Sequence, residues 1–560
     1  MKLTFLGAAH EVTGSRYLLE ACGKNIMVDY GMEQGADIYE NAPLPIPESA
    51  IDSVFLTHAH IDHSGYLPLL YKRGFRGSIY ATEATTELCR IMLLDSAHIQ
   101  ESDAEWKNRK AERSGKPLAE PLYTQQDALE TCALFKPCKY RQEIDVCEGV
   151  RIRLVDVGHL LGSASIEVKL AENGVEKTIV FSGDIGNLHQ PLIRDPSYMT
   201  EADYVVMEST YGDREHGPSP DYIASLTQVL QTTFDRGGNV VIPSFAVGRT
   251  QEMLYFIRHI KEQHLVKGHD GFPVYVDSPL AIEATKVFNN NTMECADADT
   301  MALIKQGINP ISFEGLNVAV SADESKLIND DPTPKVIISA SGMCDAGRIR
   351  HHLKHNLWRP ECTVLFVGYQ SNGTLGRSLV DGAKEVKLFG ESIQVRAAID
   401  QLNGVSGHAD QKGLLTWISH FAPQPEHVFV THGDDEVTDG FAALLQSSQG
   451  LAASAPYNGE CWSLAPLQKL CEGNLERIKK PDRDAAAKDL LPQRQAPKAD
   501  AAASREARKP RSGGGDAYTQ LLMAVDKLEA MADSMRAAGG KVQQKLTNEL
   551  YKLIRRYTRQ

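Results

Sequence analysis

Thr57-His58-Ala59-His60-Ile61-Asp62-His63 places four potential metal ligands, His58, His60, Asp62 and His63, within six positions. The motif follows an apolar run, Val54-Phe55-Leu56. Side chains of an extended segment alternate, so His58 and His60 leave the chain on the same side. Asp62 and His63 fall on the turn into a helix around Tyr66–Leu70. Imidazoles and carboxylates at this density do not make a core, because each needs a partner once buried. All the donors are nitrogen or oxygen, which suits zinc or a similar borderline cation. One catalytic zinc takes about three protein groups and a water. This motif exceeds that, so it points to two cations and to further ligands elsewhere in the chain.

Composition excludes several classes. The chain has 560 residues, 42% hydrophobic and 24% charged, as in ordinary globular proteins with room for two or more domains. Met1–Gly7 reads as a short strand and not as a signal peptide. No run approaches the roughly 20 apolar residues of a membrane helix. The ten cysteines are scattered without a Cys-x-x-Cys, which favours a reduced, cytoplasmic compartment over a disulfide scaffold. The net charge of −14 argues against indiscriminate nucleic-acid binding, but it is unevenly placed: residues after Glu476 carry +9, leaving −23 for the rest. Residues 480–515 read as a basic disordered linker, and 516–560 as a helical hairpin broken at Gly539-Gly540. Apolar stripes there (Leu521, Val525, Leu528; Leu546, Leu550, Leu553) suit docking or a homodimer.

Other chemistry-bearing residues recur at strand ends. Asn25–Val28 ends at Asp29, where a carboxylate either forms a turn or orients a ligand histidine beside a metal. Arg151–Val155 leads to His159 between Gly158 and Gly162. Thr178–Ser182 leads to Asp184, whose two oxygens can bridge two cations. Tyr204–Met207 ends at Glu208, and His427–Thr431 at His432, which completes the ligand count. His408 lies in a Gly/Ser loop and is one histidine more than the metals need.

Between Tyr211 and about residue 390, strands alternate with helices, as in a parallel α/β layer. Ligands of such sheets bind beyond the carboxyl ends of the strands. Those ends carry Ser244 to Arg249, Ser341-Gly342 leading to Arg348, and Gly368–Gly373. Free N–H groups at helix starts and bidentate arginines would suit phosphates, so Ser244, Arg249, Ser341, Gly342 and Arg348 are candidate phosphate contacts.

These motifs resemble the metallo-β-lactamase superfamily and, within it, the β-CASP nucleases, over about Met1 to Tyr457. The His58–His63 motif, His159 and Asp184 match the superfamily's metal motifs in order. Glu208, His408 and His432 match the three motifs that set the β-CASP branch apart, and a histidine at the last position resembles its RNA-acting members. The resemblance implies an α/β fold: an αββα sandwich from residues 1–210 and 391–465, with a β-CASP domain inserted at 211–390. It implies that His58, His60 and His159 hold one zinc, that Asp62, His63 and His432 hold the other, and that Asp184 bridges both; manganese is an alternative metal. The helical tail matches nothing in the family.

The function implied is zinc-dependent hydrolysis of RNA phosphodiester bonds to leave 5′-phosphate ends. Asp62 then counts as both ligand and catalytic residue, His408 serves as general acid toward the departing ribose 3′-oxygen, and Glu208 holds His408. Two rivals share the fold: a small-ester or lactone hydrolase, opposed by the inserted phosphate-type loops, and a non-catalytic RNA-binding scaffold, opposed by the complete ligand set.

Overall fold

The computed structural model describes residues 1–34, 38–114, 117–217, 221–370, 373–402 and 406–478. The expected linker (480–515), the hairpin (516–560) and any dimer through it lie outside the described residues. So do Ser371 and Asn372 of one expected phosphate loop, and Asn403, Gly404 and Val405 ahead of His408.

Two large sheets pack face to face. One has eight strands, in the order Leu467–Cys471, Cys461–Leu464, Lys2–Gly7, Arg16–Ala21, Lys24–Tyr30, Ser53–Phe55, Ser78–Thr82, Phe135–Cys138. The other has seven, in the order Ala453–Ser454, His427–Thr431, Tyr204–Glu208, Val175–Phe181, Ala164–Glu172, Val150–Asp156, Glu143–Cys147. The period-two alternation of strands sorts their side chains into layers. Tyr17, Leu19, Ile26, Val28 and Phe55 meet Ile166, Val168, Ile179, Phe181, Val206 and Phe429 between the sheets. Their neighbours point outward: Leu18, Met27 and Val54 toward the helices on one side, Val180, Val205, Met207 and Val430 toward Trp417 and Phe441 on the other. The result is the expected αββα sandwich. Each fully buried aromatic between the sheets contributes about 1.5–3 kcal/mol.

The late segment completes both sheets. His427–Thr431 adds in parallel to Tyr204–Glu208, with Glu208 opposite Thr431, and Cys461–Leu464 adds to Lys2–Gly7. Cys461 and Cys471 form a disulfide across neighbouring strands, with Cα atoms 4.9 Å apart. The other eight cysteines are free, so composition hid one staple but no disulfide scaffold.

A third, wholly parallel sheet has six strands: Leu316–Val318, Val274–Val276, Val336–Ser339, Val240–Pro243, Thr363–Phe366 and Ala398–Gln401. Alternation again buries both faces. Val240, Ile242, Val336 and Ile338 join a core continuous with Leu56, Leu67 and Leu88 of the first sheet's helical layer. Val241, Ile337, Val364 and Phe366 pack on Ile349, Leu353 and Leu379. The last strand, Ala398–Gln401, still belongs to this sheet although it lies past residue 390. None of the described helices is long and apolar enough to cross a membrane.

Candidate metal centre

The ligands converge because their strands point the same way. Val175–Phe181, Tyr204–Glu208 and His427–Thr431 are mutually parallel, and Lys24–Tyr30 runs parallel to Ser53–Phe55. Their carboxyl ends open on one edge of the sandwich. Close backbone approach fixes the loops there. Ser15 N–H donates to Asp62 O at 2.9 Å and Met32 N–H to Ile61 O at 3.0 Å. Gly31 between them has no room for a side chain, since a Cβ would meet Asp62 O at 1.6 Å. Asp29 and His432 sit in the left-handed region, φ +56° and +51°. Asp, Asn and His tolerate that conformation best among residues with side chains, and it marks strained functional positions.

Two ligand sets form, and Asp184 faces both. In the first, His58 Nε2 lies 3.0 Å from His60 Nδ1 and His159 Nε2 lies 3.2 Å from the same atom. Asp184 Oδ2 is 3.4 Å from His58 Nε2 and 3.5 Å from His159 Nε2. In the second, His63 Nε2 and His432 Nε2 are 3.2 Å apart. Asp184 Oδ1 is 3.2 Å from the former and 3.5 Å from the latter, and Asp62 Oδ2 is 3.7 Å from His432 Nε2.

These separations suit cations. Ligands about 2.0–2.1 Å from a tetrahedral zinc stand about 3.3 Å from one another. The opposite ring nitrogens fix the tautomers. His63 Nδ1–H donates to Asp29 Oδ2 at 2.8 Å. His58 Nδ1–H donates to Thr57 Oγ1 at 3.1 Å, His159 Nδ1–H to Gly407 O at 3.1 Å, and His432 Nδ1–H to Thr210 Oγ1 at 3.1 Å. Each Nε2 therefore turns a lone pair inward, and lone pairs facing one another at these distances repel unless a cation lies between them. Asp184 Oδ1 is buried without a hydrogen-bond partner, which is costly for a carboxylate oxygen that no cation meets. The residues fit a pair of metal ions.

Electrostatics agree. Burial, then the charge of His63, holds His58 well below its ordinary range, burial holds His159 well below it and burial lowers His60, which favours the neutral form that ligands need. Burial would raise Asp62, but the neighbouring His432 and the charge of His63 bring it to about 2. Burial would likewise raise Asp184, yet His432, His63 and His58 hold it well below the usual carboxylate range. Burial would lower His63, but Asp184 and Asp29 outweigh it and push it well up. That imbalance shows a centre that favours added positive charge.

His408 stands beside the ligands. Its loop is pinned to the Asp184 loop: Ala409 N–H donates to Ile185 O at 2.7 Å, and Asn187 N–H to Gly407 O at 3.1 Å. Its Nδ1 faces Glu208, and its Nε2 stands 3.8 Å from Asp184 Oδ2. The cluster Asp184, Glu208 and His408 thus abuts the first ligand set. The sequence alone singles out neither Thr57 nor Thr210 as a histidine partner. Thr57 stood in the motif itself and Thr210 two residues after Glu208, so adjacency was the available signal.

The expected phosphate loops also meet, but their arginines are engaged within the fold. Ser244 N–H donates to Ser339 O at 3.0 Å, and Gln370 Nε2 donates to Gly342 O at 3.1 Å. Ser341 Oγ bonds Ala346 O in its own loop. Arg249 pairs with Glu252. Arg348 pairs with buried Asp277 at 2.7 Å and donates to Ala319 O and Val320 O.

Residues 18–190 match the Metallo-beta-lactamase superfamily domain, 250–379 the Beta-Casp domain, and 392–456 the Zn-dependent metallo-hydrolase RNA specificity domain. The chain is 36% identical over 448 residues to a ribonuclease of Thermus thermophilus, across 80% of this chain and 96% of that one. It is 31% identical over 474 residues to transcription termination factor FttA of Methanosarcina mazei, across 82% and 71% of the two chains. The corresponding factor of Pyrococcus abyssi is 30% identical over 477 residues, across 82% and 70%. With that identity spanning the sandwich, the inserted sheet and the late strands, the chain belongs to the β-CASP ribonuclease family of the metallo-β-lactamase superfamily.

Proposed function

We propose that the protein is a two-metal ribonuclease that hydrolyses RNA phosphodiester bonds and leaves 5′-phosphate ends. The observation that carries this reading is the His408–Glu208 pair beside Asp184. When bound, zinc or manganese ions supply Lewis acidity toward a phosphoryl oxygen and acidify water near neutral pH. His58, His60 and His159 would hold one ion, Asp62, His63 and His432 the other, and Asp184 would share its two oxygens between them. Asp29, Thr57, Gly407 O and Thr210 keep the ligand histidines in the right tautomer.

Hydrolysis forms a bond from a water oxygen to phosphorus, with that water's proton passing to solvent, and breaks the bond to the ribose 3′-oxygen. That departing alkoxide needs a proton, which His408 Nε2–H donates while Glu208 accepts from Nδ1–H and stabilises the imidazolium. A lactone hydrolase has no need of an inserted α/β domain, so the phosphodiesterase reading is favoured. The domain scheme proposed is a sandwich of 1–210 and 391–465 around an insertion at 211–390, with the insertion's far boundary moved past Gln401 because Ala398–Gln401 pairs within its sheet; the expected linker at 480–515 and hairpin at 516–560 lie outside the described residues. Eight free cysteines against the one Cys461–Cys471 disulfide favour a cytoplasmic setting.

The test is incubation of metal-loaded protein with end-labelled RNAs bearing 5′-phosphate, 5′-triphosphate or 5′-hydroxyl ends. Metal-dependent shortening with 5′-phosphate product ends is expected. Intact RNA under conditions where the same preparation opens lactones would overturn the reading.

A further inference from the structure

We propose that Phe245 and Tyr369 form a base-stacking strip that receives single-stranded RNA as it enters the metal centre; this rests on the ribonuclease reading above. Both rings lie at the carboxyl edge of the parallel sheet, on loops after Val240–Pro243 and Thr363–Phe366. They are 46% and 59% exposed, so neither serves the core. The loops that carry them are nevertheless firmly built. Thr250 Oγ1–H donates to Phe245 O at 2.7 Å. Gln370 Nε2 donates to Gly342 O, Gly368 O and Tyr369 O, each at 3.1 Å. The Phe245 ring lies against Gly342, where a Cβ would come within 3.1 Å of it. An exposed aromatic on a rigid loop loses little entropy on contact, which suits a platform for another flat ring.

The strip runs into the centre. Gly368, the residue before Tyr369, faces the Phe245 ring, where its Cβ would come within 3.9 Å. The Tyr211 ring is 6.1 Å from the ring of His408. On the Phe245 side, Gly248 approaches Leu160, the neighbour of His159, within 3.3 Å of where its Cβ would be. A cation flanks the path: the Arg214 guanidinium lies 4.8 Å from the Tyr211 ring. Alternating aromatic faces and positive charge leading to a hydrolytic centre are what a single strand, with exposed bases and a phosphate backbone, is recognised by. A paired duplex hides its base faces and cannot use the strip.

The test compares kcat/KM of the metal-loaded full chain, in competition, for a 12-nucleotide single-stranded RNA and for the same strand with abasic sites at successive positions. Wild type should prefer the intact strand by about 5- to 150-fold for each stacked base. Phe245→Ala and Tyr369→Ala should each bring one position's ratio toward unity, mainly through KM, while Phe245→Tyr and Tyr369→Phe should keep it. Equal kcat/KM for both strands in wild type, or alanine variants that keep the wild-type ratio, would overturn the inference and leave the ribonuclease reading standing. No cleavage of either strand would overturn that reading and this inference with it. An unchanged ratio combined with altered self-association in Phe245→Ala would mark the strip as a protein contact and overturn the inference alone.

Discussion

His408 Nδ1 lies 3.2 Å from both carboxylate oxygens of Glu208, across 200 residues of sequence. Glu208 cannot turn away, because its Oε1 also accepts from Ile185 N–H and its Oε2 from Thr210 N–H. The Glu208 side chain is 1% exposed and that of His408 is 20% exposed. The carboxylate is thus a fixed support, and the imidazole is the member of the pair that substrate can reach.

That division predicts a substrate-dependent defect. His408→Ala should slow RNA cleavage by about 10²- to 10⁴-fold, the usual loss for a general acid. Hydrolysis of a nitrophenyl phosphodiester, whose leaving group needs no proton, should suffer far less, with metal content unchanged. Glu208→Gln should show the same pattern more weakly. Equal losses on both substrates would place His408 on the phosphate instead.

The pH profile should report the same pair. Burial lowers His408, but Glu208 and then Asp184 outweigh it and raise it to about 9. A donor must be protonated, so cleavage dependent on it is present below that value and lost as pH rises through it. Bound cations would neutralise Asp184's share and leave Glu208 as the main raising influence. Single-turnover RNA cleavage in Glu208→Gln should therefore fall at lower pH than in wild type. A basic limb at the same pH in both would separate it from His408.

Asp29 offers a test of the ligand supports. It accepts from His63 Nδ1–H at 2.8 Å, Thr57 N–H at 2.8 Å and Thr57 Oγ1–H at 2.9 Å. Asp29→Asn keeps the left-handed backbone tolerable but weakens the hold on His63. Metal affinity, measured by competition with a chelator, should drop about 10- to 100-fold. Unchanged affinity would mean that His63 is oriented by something else.

The ligands were legible because each follows an apolar run at a strand end: His58 after Leu56, Asp184 after Phe181, His432 after Val430. Partnership was legible only through the family resemblance and not from the residues themselves, since it depends on which strands become neighbours. Asp29 remained ambiguous between turn former and support until His63 was seen against it. Arg348 pointed toward phosphate in sequence, but Asp277, buried at the end of a neighbouring strand, claims its guanidinium. The 32-residue helix Glu83–Ser114 is not legible in the sequence, because its mixed polar and apolar positions give no clean stripe.

The central claim is a pair of cations sharing Asp184, and elemental analysis of protein purified without chelator tests it most directly. Two ligand sets joined by one carboxylate predict about two metal ions per chain, and Asp184→Ala should lose more metal than His60→Ala or Asp62→Ala, because it removes a contact to both ions. Wild-type protein holding well below one ion per chain, and not restored by added zinc or manganese, would contradict the account, as would Asp184→Ala retaining the full complement.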